Sequence, residues 1–320
     1  MAKGFFTDTT LCIGCKACEV ACKQWNQLPG DNFEFTGMSY DNTIALGSTT
    51  WRHVAFVEQF DRTARVGGHI VGERSGAAAI SDRVRDSGNG HGGIDLMSLR
   101  SSSGAQADGG RAMTLTRSRT VDEQTGGLFG EHRWLMMSDV CKHCTNAGCL
   151  EACPTGAIIR NEFGDVYVQP DICNGCAYCT IACPFGVIDL HEEDGRAWKC
   201  TLCYDRQKDG MEPACAKACP TQSIQFGEIE ELRERARARV GQLHERGVTD
   251  AYLYGVDEQT SVGDLNAFFL LVDTPEVYNL PENPHVPQAQ VIPGYIATVA
   301  TALALGVATA VTFLARRWGA

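Results

Sequence analysis

Residues 173–184 read CNGCAYCTIACP, four cysteines at C-x2-C-x2-C-x3-C with Pro184 directly after the last. That spacing holds a 4Fe–4S cluster. Three thiolates two residues apart converge on three corners of one iron cube, whereas the fourth, Cys183, is carried away on a short helix toward a neighbouring cluster. One such run therefore implies another, and the sequence has three more. Cys12, Cys15, Cys18 and Cys22 repeat the spacing, with Lys23 where the proline stands elsewhere. Cys141, Cys144, Cys149 and Cys153-Pro154 stretch the middle gap to four residues, and Cys200, Cys203, Cys215 and Cys219-Pro220 stretch it to eleven. These runs use all sixteen cysteines.

Disulfides suit small secreted domains, but this protein has 320 residues, and its opening MAKGFFTDTT lacks the apolar region of a signal peptide. Zinc ribbons use two C-x2-C knuckles separated by a loop, and only the last run, with its long gap, resembles one. A non-redox zinc scaffold is the remote alternative. A third thiol close behind a C-x2-C, followed by C-P, fits iron–sulfur chemistry instead.

The crossover of the fourth cysteine predicts the ligand sets of four 4Fe–4S clusters. Cys173, Cys176 and Cys179 join Cys153, while Cys141, Cys144 and Cys149 join Cys183. The outer runs pair across the sequence: Cys12, Cys15 and Cys18 with Cys219, and Cys200, Cys203 and Cys215 with Cys22. The expected fold is α+β, with one ferredoxin-like two-cluster module nested inside another. The inner module covers 131–195, and the outer covers 1–60 plus 196–280.

A net charge of −11 excludes a basic nucleic-acid surface; the one arginine-rich stretch, ELRERARAR at 231–239, alternates arginine with glutamate as a solvated helix face does. The stretch 61–130 is rich in Gly, Ser and Arg without periodicity, which predicts a flexible surface insertion in which His69 and His91 are solvated. An arm that orders on a partner subunit is the other reading. WRHVAFVEQF (51–60) and HRWLMMSDV (132–140) predict strands, the second leading straight into Cys141. GAIIR (156–160), GVIDL (186–190) and SIQFG (223–227) recur after successive C-P pairs, giving a repeat of cluster loop, short helix and strand. A helix is expected over Glu228–His244, then strands at 251–255 and 266–272, then an extended proline-rich linker that includes 281–294.

From Val286 to Ala315 there is no charged residue, and 295–315 reads YIATVATALALGVATAVTFLA. Twenty-one residues at 1.5 Å each cross a hydrocarbon core of about 30 Å, so a single transmembrane helix is expected, with an Ala-rich helix buried in the body as the alternative. Such a helix anchors the protein but forms no quinone site alone. Nothing resembles a nucleophile, an acid–base pair or a nucleotide loop, so no catalytic residue is expected.

The four runs, together with AWKCTLCYDR (197–206), PACAKACPTQSIQFG (213–227), FFLLVDTPEVYNLP (268–281) and the terminal apolar segment, resemble the iron–sulfur β subunit of membrane-bound formate dehydrogenases. The cysteine pattern alone is similar to that of a wider group, the four-cluster subunits of molybdenum or tungsten pterin oxidoreductases acting on nitrate, dimethyl sulfoxide, polysulfide or tetrathionate. The resemblance implies an electron-transfer subunit without substrate chemistry of its own. It implies that formate is oxidised on a pterin α subunit, and that electrons leave through a membrane γ subunit of cytochrome b or NrfD-like type to quinone. Arg316 and Arg317 follow the apolar segment while 281–294 holds no lysine or arginine, so the positive-inside rule expects a cytoplasmic C-terminus and a cluster domain on the outer face. That domain would be exported already folded beside a partner carrying a twin-arginine signal; without such a signal the complex stays on the cytoplasmic face.

Overall fold

The structure, a computed structural model, describes residues 2–30, 40–41, 43, 45–59, 65–66, 69–70, 133–257 and 260–318. It begins with β1 (Lys3–Asp8) and α1 (Ala17–Asn26), followed by β2 (Arg52–Gln59), β3 (Arg65–Val66), β4 (His69–Ile70) and β5 (Arg133–Val140). Next come α2 (Gly148–Glu151), β6 (Ile158–Arg160), β7 (Val166–Val168), α3 (Tyr178–Ala182), β8 (Asp189–Leu190) and β9 (Ala197–Trp198). The rest is α4 (Tyr204–Lys208), α5 (Ala214–Lys217), β10 (Ile224–Glu228), α6 (Ile229–Glu245), β11 (Tyr252–Tyr254), β12 (Ala267–Leu271) and α7 (Val291–Trp318).

A four-stranded sheet in the order β10-β1-β12-β11 joins the first strand to the last ones. β1 runs antiparallel to β10, with Phe5 opposite Phe226, and parallel to β12, with Phe6 opposite Phe268. Successive side chains of a strand point to opposite faces, and the Phe5-Phe6 pair shows what each face does. Phe6 stacks on Phe268 at 5.4 Å and packs with Leu232 and Ala236 of α6, which covers that face. Phe5 points the other way and packs with Cys18, Cys22, Cys200 and Cys215. Each fully buried phenylalanine contributes about 1.5–3 kcal/mol, so the sheet is both a hydrophobic core and a wall of the cysteine region.

Two compact units are present, Met1–Val57 with Leu135–Ala320, and Glu58–Trp134. In the second, β3 and β4 pair antiparallel, Val66 opposite His69. The remainder of the expected insertion, including His91, lies outside the described residues, as does the His69 side chain.

Three sequence expectations change, and β1, on which there was no expectation, is an inner strand because both Phe5 and Phe6 have a buried face to fill. The GVIDL strand shrinks to Asp189–Leu190, paired with β9, while Val187 and Ile188 are buried in the thiol-lined interior. The proline-rich stretch is not a free linker: Tyr278, Leu280 and Val286 are 1–2% exposed and pack on the core under α6. Helix α7 starts at Val291, earlier than 295, because Pro293 sits in the first turn, where its missing N–H has no partner to lose. Every residue of α7 from Val291 to Arg317 is exposed, so the buried-helix alternative is set aside; among the described residues it is the one helix able to span a membrane.

Candidate metal centres

Each cysteine run enters its site through a loop that needs left-handed backbone. In the first run Gly14 and Lys16 have φ of +64° and +58°; at the matching positions of the third, Gly175 and Ala177 have +71° and +64°. At the glycine position of the other two runs stand His143 and Leu202, at +46° and +54°, and Cys203 follows Leu202 at +50°. A non-glycine residue there costs about 1–2 kcal/mol, so the fold holds these loops against their local preference. The first loop is pinned from both sides. Asp8 accepts from the Thr10 N–H at 2.9 Å and from Arg239 at 2.8 Å, while Thr9 donates to the Leu270 carbonyl at 2.7 Å.

The structure brings the sixteen cysteines together in fours. One cavity is lined by Cys12, Cys15, Cys18 and Cys219. A second is lined by Cys22, Cys200, Cys203 and Cys215. A third has Cys141, Cys144, Cys149 and Cys183, and a fourth has Cys153, Cys173, Cys176 and Cys179. They are referred to below as the Cys12, Cys200, Cys141 and Cys173 pockets. Among the described residues no three His, Cys, Asp or Glu side chains converge on a point suited to a single metal ion; the thiols stand around a cavity instead.

Short helices produce this crossing. Helix α1 carries Cys18 into the Cys12 pocket and, one turn later, Cys22 into the Cys200 pocket. Helix α5 does the reverse with Cys215, and Cys219 just beyond its end. Helices α2 and α3 link the Cys141 and Cys173 pockets in the same way, through Cys149 with Cys153 and Cys179 with Cys183. Four residues advance about 6 Å along a helix, enough to move a thiol from one cavity to the next. Lys199 closes the remaining gap: its Nζ donates to Cys141 Sγ at 3.5 Å and to the Cys200 carbonyl at 3.1 Å. The pockets thus form a string, Cys12, Cys200, Cys141, Cys173.

Burial pushes the Cys149 and Cys203 thiols up to about 12, and those of Cys18 and Cys179 up to about 11. Such thiols ionise only against a strong positive centre, which cluster iron supplies. Donors are already aimed at the sulfurs, including the Leu202 N–H on Cys200 and the Ala197 N–H on Cys173, each at 3.3 Å. Four thiols, a cavity and sulfur-directed donors fit a 4Fe–4S group. Sequence reasoning missed two residues here. Lys199 stands next to Cys200 but has no spacing signature, and Arg52 had no signal at all. Both are buried among thiols.

A string of thiol-lined pockets with donors aimed at the sulfurs defines an iron–sulfur electron-transfer protein. The family model that matches residues 132–229 describes a 4Fe–4S dicluster domain. The formate dehydrogenase iron-sulfur subunit of Haemophilus influenzae is 34% identical over 286 residues, covering 87% of this chain and 68% of that protein. The nitrate-inducible formate dehydrogenase iron-sulfur subunit of Escherichia coli is 34% identical over 283 residues, covering 87% and 72%. A shorter match, 38% over 125 residues, covers 37% of this chain and 61% of one subunit of the anaerobic dimethyl sulfoxide reductase of Escherichia coli. The chain belongs to the formate dehydrogenase iron–sulfur subunit family and is a non-catalytic, electron-transferring member of an oxidoreductase complex.

Proposed function

We propose that the four pockets each hold one 4Fe–4S cluster, with the ligand sets Cys12, Cys15, Cys18 and Cys219; Cys22, Cys200, Cys203 and Cys215; Cys141, Cys144, Cys149 and Cys183; and Cys153, Cys173, Cys176 and Cys179. The outer two and inner two pockets make up the nested modules. The observation that carries this reading is that every cavity is lined by three thiols of one run and one of another. Each cluster, when bound, supplies one-electron transfer. The protein's own work is to space the clusters, aim donors at their sulfurs and keep water from all but the ends.

The string carries electrons from formate, oxidised on a molybdenum or tungsten pterin α subunit, to a membrane γ subunit that reduces quinone. Its polarity follows from the anchor. Gln288, just before α7, donates to the Gly148 carbonyl at 3.3 Å, so the membrane segment leaves the body beside α2 and the inner pockets. Electrons enter at the Cys12 pocket, where Cys15 and Ile13 are exposed, and leave at the Cys173 pocket, where Tyr178 and Ile181 are exposed. Iron in anaerobically purified complex is expected to approach about sixteen atoms per protein molecule, with broad absorption near ~400 nm that formate bleaches. A value near eight overturns the four-cluster reading. The match to a dimethyl sulfoxide reductase subunit favours a second reading, the equivalent subunit of another pterin oxidoreductase. A co-purifying large subunit that does not oxidise formate would select it.

Arg316 and Arg317 in the last turn of α7 support a reading in which the C-terminus is cytoplasmic and the cluster domain lies outside. Protease added to intact spheroplasts is expected to digest the cluster domain; digestion only in inverted vesicles reverses the orientation.

A further inference from the structure

Arg52 of β2 is 1% exposed, deeper than a guanidinium normally lies. Its Nη1 donates to the Ser138 carbonyl and to Ser138 Oγ, both at 3.2 Å, and its Nη2 donates to Cys215 Sγ at 3.4 Å. The guanidinium carbon lies 4.8 Å from the centre of the Phe5 ring. Among the described residues no carboxylate pairs with it. The buried Lys142, by contrast, is answered by Asp139 at 2.5 Å. A buried charge is destabilising unless it is paired, and the anionic groups facing Arg52 are cysteine sulfurs.

Those sulfurs belong to two pockets. Arg52 lines the Cys200 pocket and touches Cys215 there. Ser138 lines the Cys12 pocket, where its Oγ is 3.2 Å from Cys18 Sγ. Because Arg52 donates to the serine oxygen, the serine hydrogen is free to point at Cys18. A guanidinium polarising that hydroxyl strengthens the second hydrogen bond of the relay. A reduced cluster carries one more negative charge than an oxidised one, so a fixed cation in a poorly screened interior stabilises the reduced form.

We propose that Arg52 is a shared counter-charge for the clusters of the Cys12 and Cys200 pockets, acting directly through Cys215 and indirectly through Ser138 and Cys18, and that it raises both reduction potentials. The first two steps of the string are thereby kept from trapping the electron before them. Arg52 is a positioning residue for electron transfer and ligates nothing. The inference rests on the ligand sets proposed above.

The test is a cluster-resolved redox titration of the whole complex, followed by electron paramagnetic resonance, with signals assigned from single-ligand serine variants. In R52Q, at the native midpoint of either cluster, the ratio of reduced to oxidised form is expected to fall about tenfold or more, about 59 mV for a one-electron couple. The Cys141 and Cys173 clusters stay put. R52K, which keeps the charge, retains most of the native potential. S138A lowers the Cys12 cluster alone, by a smaller factor. Unmoved Cys12 and Cys200 midpoints in an R52Q protein of native iron content overturn the proposal, as does equal movement of all four. If R52Q loses its iron, S138A decides: a fall confined to the Cys12 cluster supports the proposal, and no fall overturns it. Native iron well short of sixteen atoms is a separate failure, that of the ligand sets.

Discussion

A C22S variant is expected to lose the cluster bounded by Cys200, Cys203 and Cys215 and to keep the one bounded by Cys12, Cys15 and Cys18. Proximity in sequence argues the opposite, because Cys22 follows Cys18 by one turn of α1. The geometry overrides it: Cys18 lines one cavity with Cys12 and Cys15, whereas Cys22, 5% exposed, lines the next with Phe5, Trp51 and Arg52. Serine is a poor substitute for a soft thiolate at iron, so about four irons per protein molecule should be lost. The missing cluster stands between the Cys12 and Cys141 pockets, and formate-driven reduction of the inner clusters should fall with it. Iron analysis and cluster-resolved spectra check both statements. Loss of the Cys12 signals with the Cys200 signals intact would falsify the crossed ligand sets.

The second large effect is steric. Gly175 lies inside CNGC at φ +71°, and a Cβ added there would meet the Gly195 carbonyl oxygen at 2.4 Å. That contact is backbone against backbone, so no side chain can turn aside. G175A must therefore move the loop that carries Cys173 and Cys176, in addition to the roughly 1–2 kcal/mol of left-handed strain. The expected result is loss of the Cys173-pocket cluster, about four irons per protein molecule, with the other three retained. Gly156, at φ +67°, has nothing within 4 Å of the added atom. G156A shares the strain without the clash, so it should keep its iron and lose only stability. If the two variants lose iron equally, close approach to Gly195 is not what the glycine serves.

Much of the candidate site was legible in the sequence because cluster ligation is local chemistry. Three thiols at fixed short spacing and a fourth one helical turn on leave a pattern whatever the surrounding fold. Helix α6 and strands β2, β5 and β12 were legible for a similar reason: each carries its periodicity, caps or β-branched and aromatic content in adjacent residues. The apolar run of α7 is likewise a property of consecutive residues, and only its start was misjudged, since a proline in a first turn does not stop a helix.

What escaped depends on contacts between distant residues. β1 is an inner strand because β10 and β12, more than 200 residues away, arrive on its two sides. Tyr278, Leu280 and Val286 are core residues in a stretch whose prolines read as linker, because the surface beneath α6 needs covering. Arg52 is separated from Ser138 by 86 residues and from Cys215 by 163, so no window of sequence contains the triad. The sequence by itself determined that this protein gathers its thiols into iron–sulfur runs and ends in an apolar helix, because spacing and hydropathy act between near neighbours. Only the tertiary structure decided the order of the pockets and which buried cations stand between them, because burial and electrostatics act through space.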